Sequence, residues 1–102
     1  MDRVLNLDEI RTTAAELARE RGVERVWLFG SYARGEATPE SDVDIRIDEG
    51  ELGGLIALAG LYLALRERLG KPVDLLTTDS LDASFLERVR GEEVLLYADG
   101  KS

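Results

Sequence analysis

The sequence predicts an α/β (α+β) fold, in which a small mixed sheet of about four strands carries helices mainly on one face. Three observations support it: an apolar run that ends at Phe29, an alternating polar and apolar stretch over 41–48, and a strand, helix, strand order that begins with that stretch. A chain of 102 residues is long enough for a single core. We therefore expect one domain over residues 1–97 and a disordered tail over residues 98–102.

The first half of the chain alternates helix and strand. Asp8 is predicted to cap a helix that runs to about Glu20, and Gly22 to end it. The apolar stripe of this helix consists of Ile10, Ala14, Leu17 and Ala18. Residues 23–29 form a buried strand, and the Gly-Ser pair behind it places Ser31 at or near the N-cap of a short helix. Free backbone N–H groups at such a start favour a phosphate.

A turn through residues 37–40 leads into the second strand, because Pro39 biases its neighbour away from helix. Residues 41–48 alternate polar and apolar and so predict a strand with one buried face. The residues on that face are Val43, Ile45 and Ile47. Since the link between the first two strands is short, we expect them to be adjacent and antiparallel.

A long helix is predicted over residues 51–69. Its main apolar face is assigned to Leu52, Leu55, Ile56, Ala59, Tyr62 and Leu63. A second group lies to the side and indicates either a broad core face or a surface for a partner. This group is Leu58, Leu61 and Leu65. The apolar segment 52–65 is shorter than the roughly 18 residues that span a bilayer, so no membrane segment is expected.

The last third of the chain adds two strands and a helix. Gly70 is predicted to stop the long helix, and residues 73–76 form the next strand. A last helix runs through Phe85 and Val89, and residues 94–97 form an end strand that packs on the core. These elements complete the predicted sheet.

Three aspartates are the candidate chemical groups. Asp42 and Asp44 are two apart on a strand, so their side chains share a face and repel each other unless a cation lies between them. Asp74 interrupts an otherwise apolar strand, where burial of a carboxylate is costly unless it is paired, hydrogen-bonded or bound to a metal. A right-handed crossover would bring it beside the first two. Carboxylates at this spacing suit Mg²⁺ or Mn²⁺. The alternative is that Asp42, Asp44 and Asp48 form the solvated face of an edge strand.

Composition excludes several classes of chemistry. The chain has no Cys and no His, which removes thiolate and imidazole catalysis, disulfides and typical zinc sites. Its net charge is −8, so a long nucleic acid is a poor partner, whereas a nucleotide carried with a metal or a basic protein is acceptable. The N-terminus lacks the apolar core of a signal peptide, which favours a cytoplasmic protein.

The stretch Gly30–Asp44 resembles a known signature. It reads Gly-Ser-x-Ala-Arg-Gly, five residues, then Ser-Asp-x-Asp, the pattern of the DNA polymerase β-like nucleotidyltransferases and most closely of their minimal prokaryotic members. The resemblance implies a nucleotidyltransferase fold and a single minimal nucleotidyltransferase domain. An EF-hand interpretation of the Asp-x-Asp pair fails, because a loop beginning at Asp42 has Gly53 where the calcium-binding Glu is required.

The resemblance also assigns site residues. Those implied for the nucleotide are Gly30, Ser31, Arg34 and Ser41. Those implied for metal binding and catalysis are Asp42, Asp44 and Asp74, the last as the base that takes the acceptor's proton. Two alternatives stay open: Ser31 is only a cap, and Arg34 pairs with Glu36 or Glu40 instead of a phosphate. Arg46 is interpreted as a charge balancer.

The family resemblance finally implies a function. Minimal nucleotidyltransferases are commonly encoded beside small helical HEPN proteins, which are ribonuclease toxins, and the implied reaction moves AMP from ATP to a tyrosine hydroxyl of the toxin. Two Mg²⁺ ions, or Mn²⁺, are expected to assist. One alternative is an antitoxin that neutralises its partner by binding alone. Another is nucleotidyl transfer to a small molecule or an RNA end. Base preference and homo-oligomerisation stay open.

Overall fold

The fold consists of a mixed sheet and four α-helices within residues 3–100, the part of the chain that the computed structural model describes. The strands are β1 (Arg25–Phe29), β2 (Val43–Asp48), β3 (Val73–Thr77) and β4 (Val94–Ala98). The helices are α1 (Leu7–Arg21), α2 (Gly30–Arg34), α3 (Leu55–Leu69) and α4 (Ala83–Arg90), with a 3₁₀ turn over Thr78–Ser80. The predicted α/β (α+β) class is confirmed.

The four strands lie in the order β3-β2-β1-β4. β1 pairs with β2 in antiparallel orientation, as their short link predicts, and β2 pairs with β3 in parallel orientation across the α3 crossover. β4 adds to the other side of β1, with a bulge between Val26 and Trp27. Because β2 is an interior strand, the interpretation of its aspartates as the solvated face of an edge strand is wrong.

Helix α1 is capped by Asn6, two residues before the predicted cap Asp8, so the assignment of Asp8 as the cap is wrong. The Glu9 N–H donates to the Asn6 side chain at 2.8 Å, and the Glu9 carboxylate accepts from the Asn6 N–H at 3.2 Å. This reciprocal capping box satisfies two backbone donors, which a lone Asp8 does not do. The predicted apolar stripe is buried, and Gly22 ends the helix with a φ of 76°.

The core lies between one face of the sheet and helices α1 and α3. The side chains predicted to face inward from β2 are fully buried there. They are Val43, Ile45 and Ile47. The opposite face of the sheet carries Asp44, and Phe85 of α4 packs edge-on against Phe29 on that side, with ring centroids 5.8 Å apart. The helices therefore lie mainly on one face and leave part of the other open for the carboxylates.

Helix α3 is rotated relative to its predicted orientation. Leu61 and Leu65 are buried, whereas Ile56 is 89% exposed and Leu63 is 60% exposed. The reason is that the helix is apolar nearly all round, so its periodicity does not single out a core face. The helix also begins at Leu55 rather than near residue 51, because Gly53 and Gly54 precede it with positive φ angles of 88° and 92°.

The C-terminal strand extends further than expected. Ala98 pairs with Arg25, and the Asp99 N–H donates to the Glu24 carbonyl oxygen at 3.0 Å. The prediction of disorder is therefore wrong for Ala98 and Asp99, while its last two positions, 101–102, lie outside the described residues. Among the described helices, none combines the length and the apolar character that crossing a membrane requires.

Candidate active site

A tight corner joins β1 to α2. Phe29 is the N-cap of α2. Gly30 is the first residue of this helix and has a φ of 74°, and Ser31 lies in the first turn. No side chain caps this helix, so the interpretation of Ser31 as a helix cap is wrong. The contact of its hydroxyl with a phosphate stays a prediction.

Gly30 lies directly against a carboxylate. A Cβ atom built at Gly30 would lie 2.1 Å from Oδ2 of Asp44, much closer than two such atoms can approach. The register explains this proximity, because Phe29 pairs with Asp44 across β1 and β2. Only glycine therefore allows the corner and this carboxylate to occupy adjacent positions, both for its conformation and for its size.

The crossover brings Asp74 to Asp44, as predicted. The two residues are register partners on the parallel strands β2 and β3, so their side chains share a face, with adjacent strands roughly 4.8 Å apart. Asp42 lies one residue before β2 begins. Asp74 is exposed because β3 is an edge strand. The argument that burial makes Asp74 costly is therefore wrong, although its predicted position is right.

The pKa of Asp44 reflects the nearby carboxylates. The pKa of the Asp44 carboxyl is raised to about 6. Burial is the largest cause, and the negative charges of Asp74 and Asp42 add to it. Arg34 acts on the Asp44 pKa in the opposite direction. Asp42 and Asp74 thus each lie close enough to repel Asp44, and a cation beside Asp44 would relieve that repulsion.

The donor set fits a hard divalent ion. Within residues 3–100, no three acidic side chains converge closely enough to make a metal cage from protein ligands alone. Mg²⁺ does not require one, since it is commonly held by one or two carboxylates while substrate phosphates and water complete its shell. Asp42 and Asp44 supply oxygen ligands of this kind, with Asp74 beside them. The residues therefore fit Mg²⁺ or Mn²⁺ bound together with a nucleotide.

Arg34 has two acidic partners. Its Nε atom donates to Glu36 at 3.0 Å, and its Nη1 atom donates to Glu92 at 3.2 and 3.4 Å. The predicted pairing with Glu36 is confirmed. The Gly30 N–H also donates to Oε1 of Glu92, at 3.4 Å. Glu92 thus contacts two groups that the resemblance assigns to the nucleotide. Local sequence patterns do not reveal this, because Glu92 reaches the corner only through the pairing of β4 with β1.

Replacing Glu92 with glutamine is expected to tighten ATP binding roughly three- to fivefold, since an exposed ion pair that competes for Arg34 contributes at most about 1 kcal/mol. Calorimetric titration with a non-hydrolysable ATP analogue measures the effect. Glu87→Gln on the exposed side of α4 is the matched control and should bind like the unmodified chain. Weaker binding by Glu92→Gln would mean that Glu92 assists the nucleotide rather than competing with it.

Hydrogen bonds fix the loop that carries Asp42. The Thr38 N–H donates to Oγ of Ser41 at 2.9 Å, and the buried Lys71 donates from Nζ to the Pro39 carbonyl oxygen at 2.7 Å. The Val43 N–H donates to the Pro72 carbonyl oxygen at 2.9 Å. The observed partner of Ser41 thus lies within the loop, and its contact with a nucleotide stays a prediction.

Arg46 balances charge on the carboxylate face, as predicted. Its guanidinium donates to both carboxylate oxygens of Glu93, at 2.7 and 2.8 Å, and stacks 3.8 Å above the Trp27 ring. Its side chain is 9% exposed and that of Glu93 is 6% exposed. The guanidinium also donates to Oγ1 of Thr78 at 2.6 Å, so both buried charges are paired within the fold, which points to a structural role.

Known proteins are similar to this chain in sequence and in fold. Residues 11–102 match the family described as polymerase beta, nucleotidyltransferase. The protein adenylyltransferase MntA of Thermococcus cleftensis is 38% identical over 95 residues, which cover 89% of this chain and 96% of that protein. The solved structure of a candidate minimal nucleotidyltransferase is 34% identical, with a TM-score of 0.77 over 88% of this chain and 95% of that one.

A toxin–antitoxin crystal structure with AMP-PNP is also similar. It is 25% identical, with a TM-score of 0.75 over 88% of this chain and 74% of that one. The signature from Gly30 to Asp44, the order of the strands and these relatives agree. The chain therefore belongs to the DNA polymerase β-like nucleotidyltransferase family, as a minimal member related to the MntA adenylyltransferases.

Proposed function

We propose that this chain is a metal-dependent protein adenylyltransferase that moves AMP from ATP to a tyrosine hydroxyl of a HEPN toxin and thereby acts as its antitoxin. The observation that carries the proposal is the position of Asp44, which lies beside Asp74 on the neighbouring strand and abuts Gly30 at the start of α2. The MntA relative and the similar toxin–antitoxin structure with AMP-PNP support the reaction and the setting.

The corner provides the nucleotide site in this proposal. The backbone N–H of Gly30 and the hydroxyl of Ser31 bind the β- and γ-phosphates, and Arg34 adds a positive charge once Glu92 releases it. Asp42 and Asp44 hold a divalent ion, which, when bound, screens the triphosphate charge and polarises the reacting phosphate. The adenine and ribose extend away from this corner.

Asp74 lies on the side of the site where the acceptor hydroxyl binds. It is exposed at the edge of the sheet, where a protein substrate has access that a buried carboxylate does not allow. Its carboxylate takes the proton of the acceptor hydroxyl as that oxygen attacks the α-phosphorus. A new oxygen–phosphorus bond forms, the bond between the α-phosphorus and its bridging oxygen breaks, and pyrophosphate leaves.

A tyrosine on a basic protein suits this site. The phenol of tyrosine ionises near pH 10, so less driving force is needed to remove its proton than for an aliphatic hydroxyl. The net charge of −8 favours encounter with a basic RNA-cleaving protein. The same charge disfavours a long RNA as the acceptor.

Mass spectrometry of a HEPN toxin incubated with this chain, ATP and Mg²⁺ tests the proposal. We expect the intact toxin to gain the mass of one or more AMP groups, and peptide mapping to place them on tyrosine. The double variant Asp42→Asn, Asp44→Asn should produce no gain. Asp79→Asn, an exposed aspartate on the 3₁₀ turn, should retain the gain.

Two outcomes would contradict the proposal. If the double variant still neutralises the toxin as well as the unmodified chain does, the antitoxin acts by stoichiometric binding. If labelled AMP passes to an RNA end or a small molecule in a mixture but not to the toxin, the acceptor is a different class of molecule.

A further inference from the structure

Helix α3 exposes an apolar stripe on the side opposite the core. Ile56 is 89% exposed and Leu63 is 60% exposed, and Ala59 lies between them with its side chain also exposed. These positions are three and four residues apart, so they line one face of the helix. Leu55, 80% exposed, borders the same stripe. A contiguous apolar face of this kind on a small domain indicates an interaction surface.

We propose that this stripe binds a second copy of the chain, with the two α3 helices antiparallel about a two-fold axis that passes between Ala59 and Gly60. In this arrangement Ile56 packs against Leu63 of the partner subunit, and the reciprocal contact is made by symmetry. Ala59, the small exposed residue at the centre of the stripe, allows the helix axes to approach to about 8 Å. The inference concerns assembly and goes beyond the proposed reaction.

The charges at the two ends of the stripe are complementary in this arrangement. Arg66 lies about 10 Å from the axis along the helix, which places it level with Gly53 of the partner subunit. Gly53 and Gly54 line an open cleft of about 550 Å³ at the start of α3. The charged residues that line this cleft are Glu24, Asp48, Glu49 and Asp79. A guanidinium of one copy thus enters an acidic cleft of the other.

Part of that acidic charge is available for such a contact. Asp48 pairs with Arg25 at 3.1 Å, but residues 3–100 contain no ion pair to Glu49 or Asp79. The basic end of α3 and its acidic start lie on the same chain, so antiparallel self-association satisfies both ends with one surface. The two helix dipoles also align favourably when antiparallel.

Sedimentation equilibrium of the full chain tests the arrangement. We expect a dimer at about 100 μM and dissociation on dilution, since a single helix pair makes a small interface. Ile56→Glu should give a monomer with an unchanged circular dichroism spectrum. Leu95→Glu, at an exposed leucine on β4, is the matched control and should stay dimeric. A monomeric unmodified chain at this concentration, including one that associates only with a different protein, would overturn the proposal.

Charge reversal tests the register of the two helices. Arg66→Glu and Glu49→Arg should each weaken dimerisation about three- to tenfold, because each contact occurs twice in the dimer. The double variant should restore it, which damage to the fold cannot do. Failure of the double variant to restore dimerisation would overturn the register.

Crosslinking tests the position of the axis. The chain contains no cysteine, so Ala59→Cys introduces a single thiol next to the proposed axis. We expect mild oxidation to link most of the dimer through this residue, whereas Ser84→Cys, exposed on α4, should not form a specific link. Equal crosslinking of the two variants would overturn the antiparallel packing.

Discussion

Replacing Asp44 with asparagine is expected to abolish adenylyl transfer and to make the protein more stable at neutral pH. The loss of activity should be on the order of 10³-fold, because the substitution removes a charge that the proposed site needs for its metal and phosphates. The gain in stability follows from the raised pKa of the carboxyl, about 6 against an ordinary value of 3.8. Ionised Asp44 is therefore unfavourable in the folded state.

The size of the stability gain depends on solvent screening. The difference between these two pKa values corresponds to about 3 kcal/mol at full strength. Because the Asp44 carboxylate is only partly buried, we expect about 1 to 2 kcal/mol in the free energy of unfolding above pH 6. Urea denaturation of the two proteins measures this difference.

The sign of the pH dependence distinguishes the raised pKa of Asp44 from other causes of a change in stability. Between pH 4 and 6 the folded state binds more protons at Asp44 than the unfolded state does, so the unmodified protein loses stability as the pH rises through this range. Asp44→Asn lacks this loss. The two stabilities should therefore converge below about pH 4 and separate up to pH 6.

Asp79→Asn is the matched control for the stability measurement, since it removes one negative charge on the exposed 3₁₀ turn. It should change the free energy of unfolding by less than about 0.5 kcal/mol at any of these pH values. An Asp44→Asn variant that is less stable than the unmodified chain at pH 7 would contradict the expected cost of ionised Asp44, which comes first from its burial and then from the neighbouring carboxylates.

Local patterns in the sequence predict the part of the site that lies on β1, β2 and β3. The alternation over residues 41–48 determines which face Asp44 occupies, because side chains two apart on a strand share a face. A crossover through a helix then determines that Asp74 returns beside it. Both inferences depend on contacts between neighbouring elements, which short-range rules describe well.

The contribution of the C-terminal strand could not be predicted in the same way. β4 pairs with β1, far away in the chain, and this pairing brings Glu92 to the corner and Glu93 to Arg46. No local pattern specifies which sheet edge a final strand joins. The orientation of α3 could not be predicted for a different reason: a helix that is apolar nearly all round has no periodic signal to orient it.

Replacing Glu93 with glutamine is expected to destabilise the fold by about 3 kcal/mol, because the change leaves the buried guanidinium of Arg46 without its main counter-ion. A second carboxylate, that of Asp48, lies 3.8 Å from Arg46 and compensates only in part. Urea denaturation measures the loss. Glu92→Gln, at the neighbouring and more exposed carboxylate, is the matched control and should lose less than about 1 kcal/mol.

A double replacement separates the charge from the packing. Arg46→Met combined with Glu93→Leu removes both charges together and keeps apolar bulk against Trp27, so it should recover most of the stability that Glu93→Gln loses. The recovery is expected because the cost of the single change comes from an unpaired buried charge rather than from a missing attraction. If Glu93→Gln were no less stable than Glu92→Gln, Arg46 would have to be solvated in the folded protein, contrary to its burial.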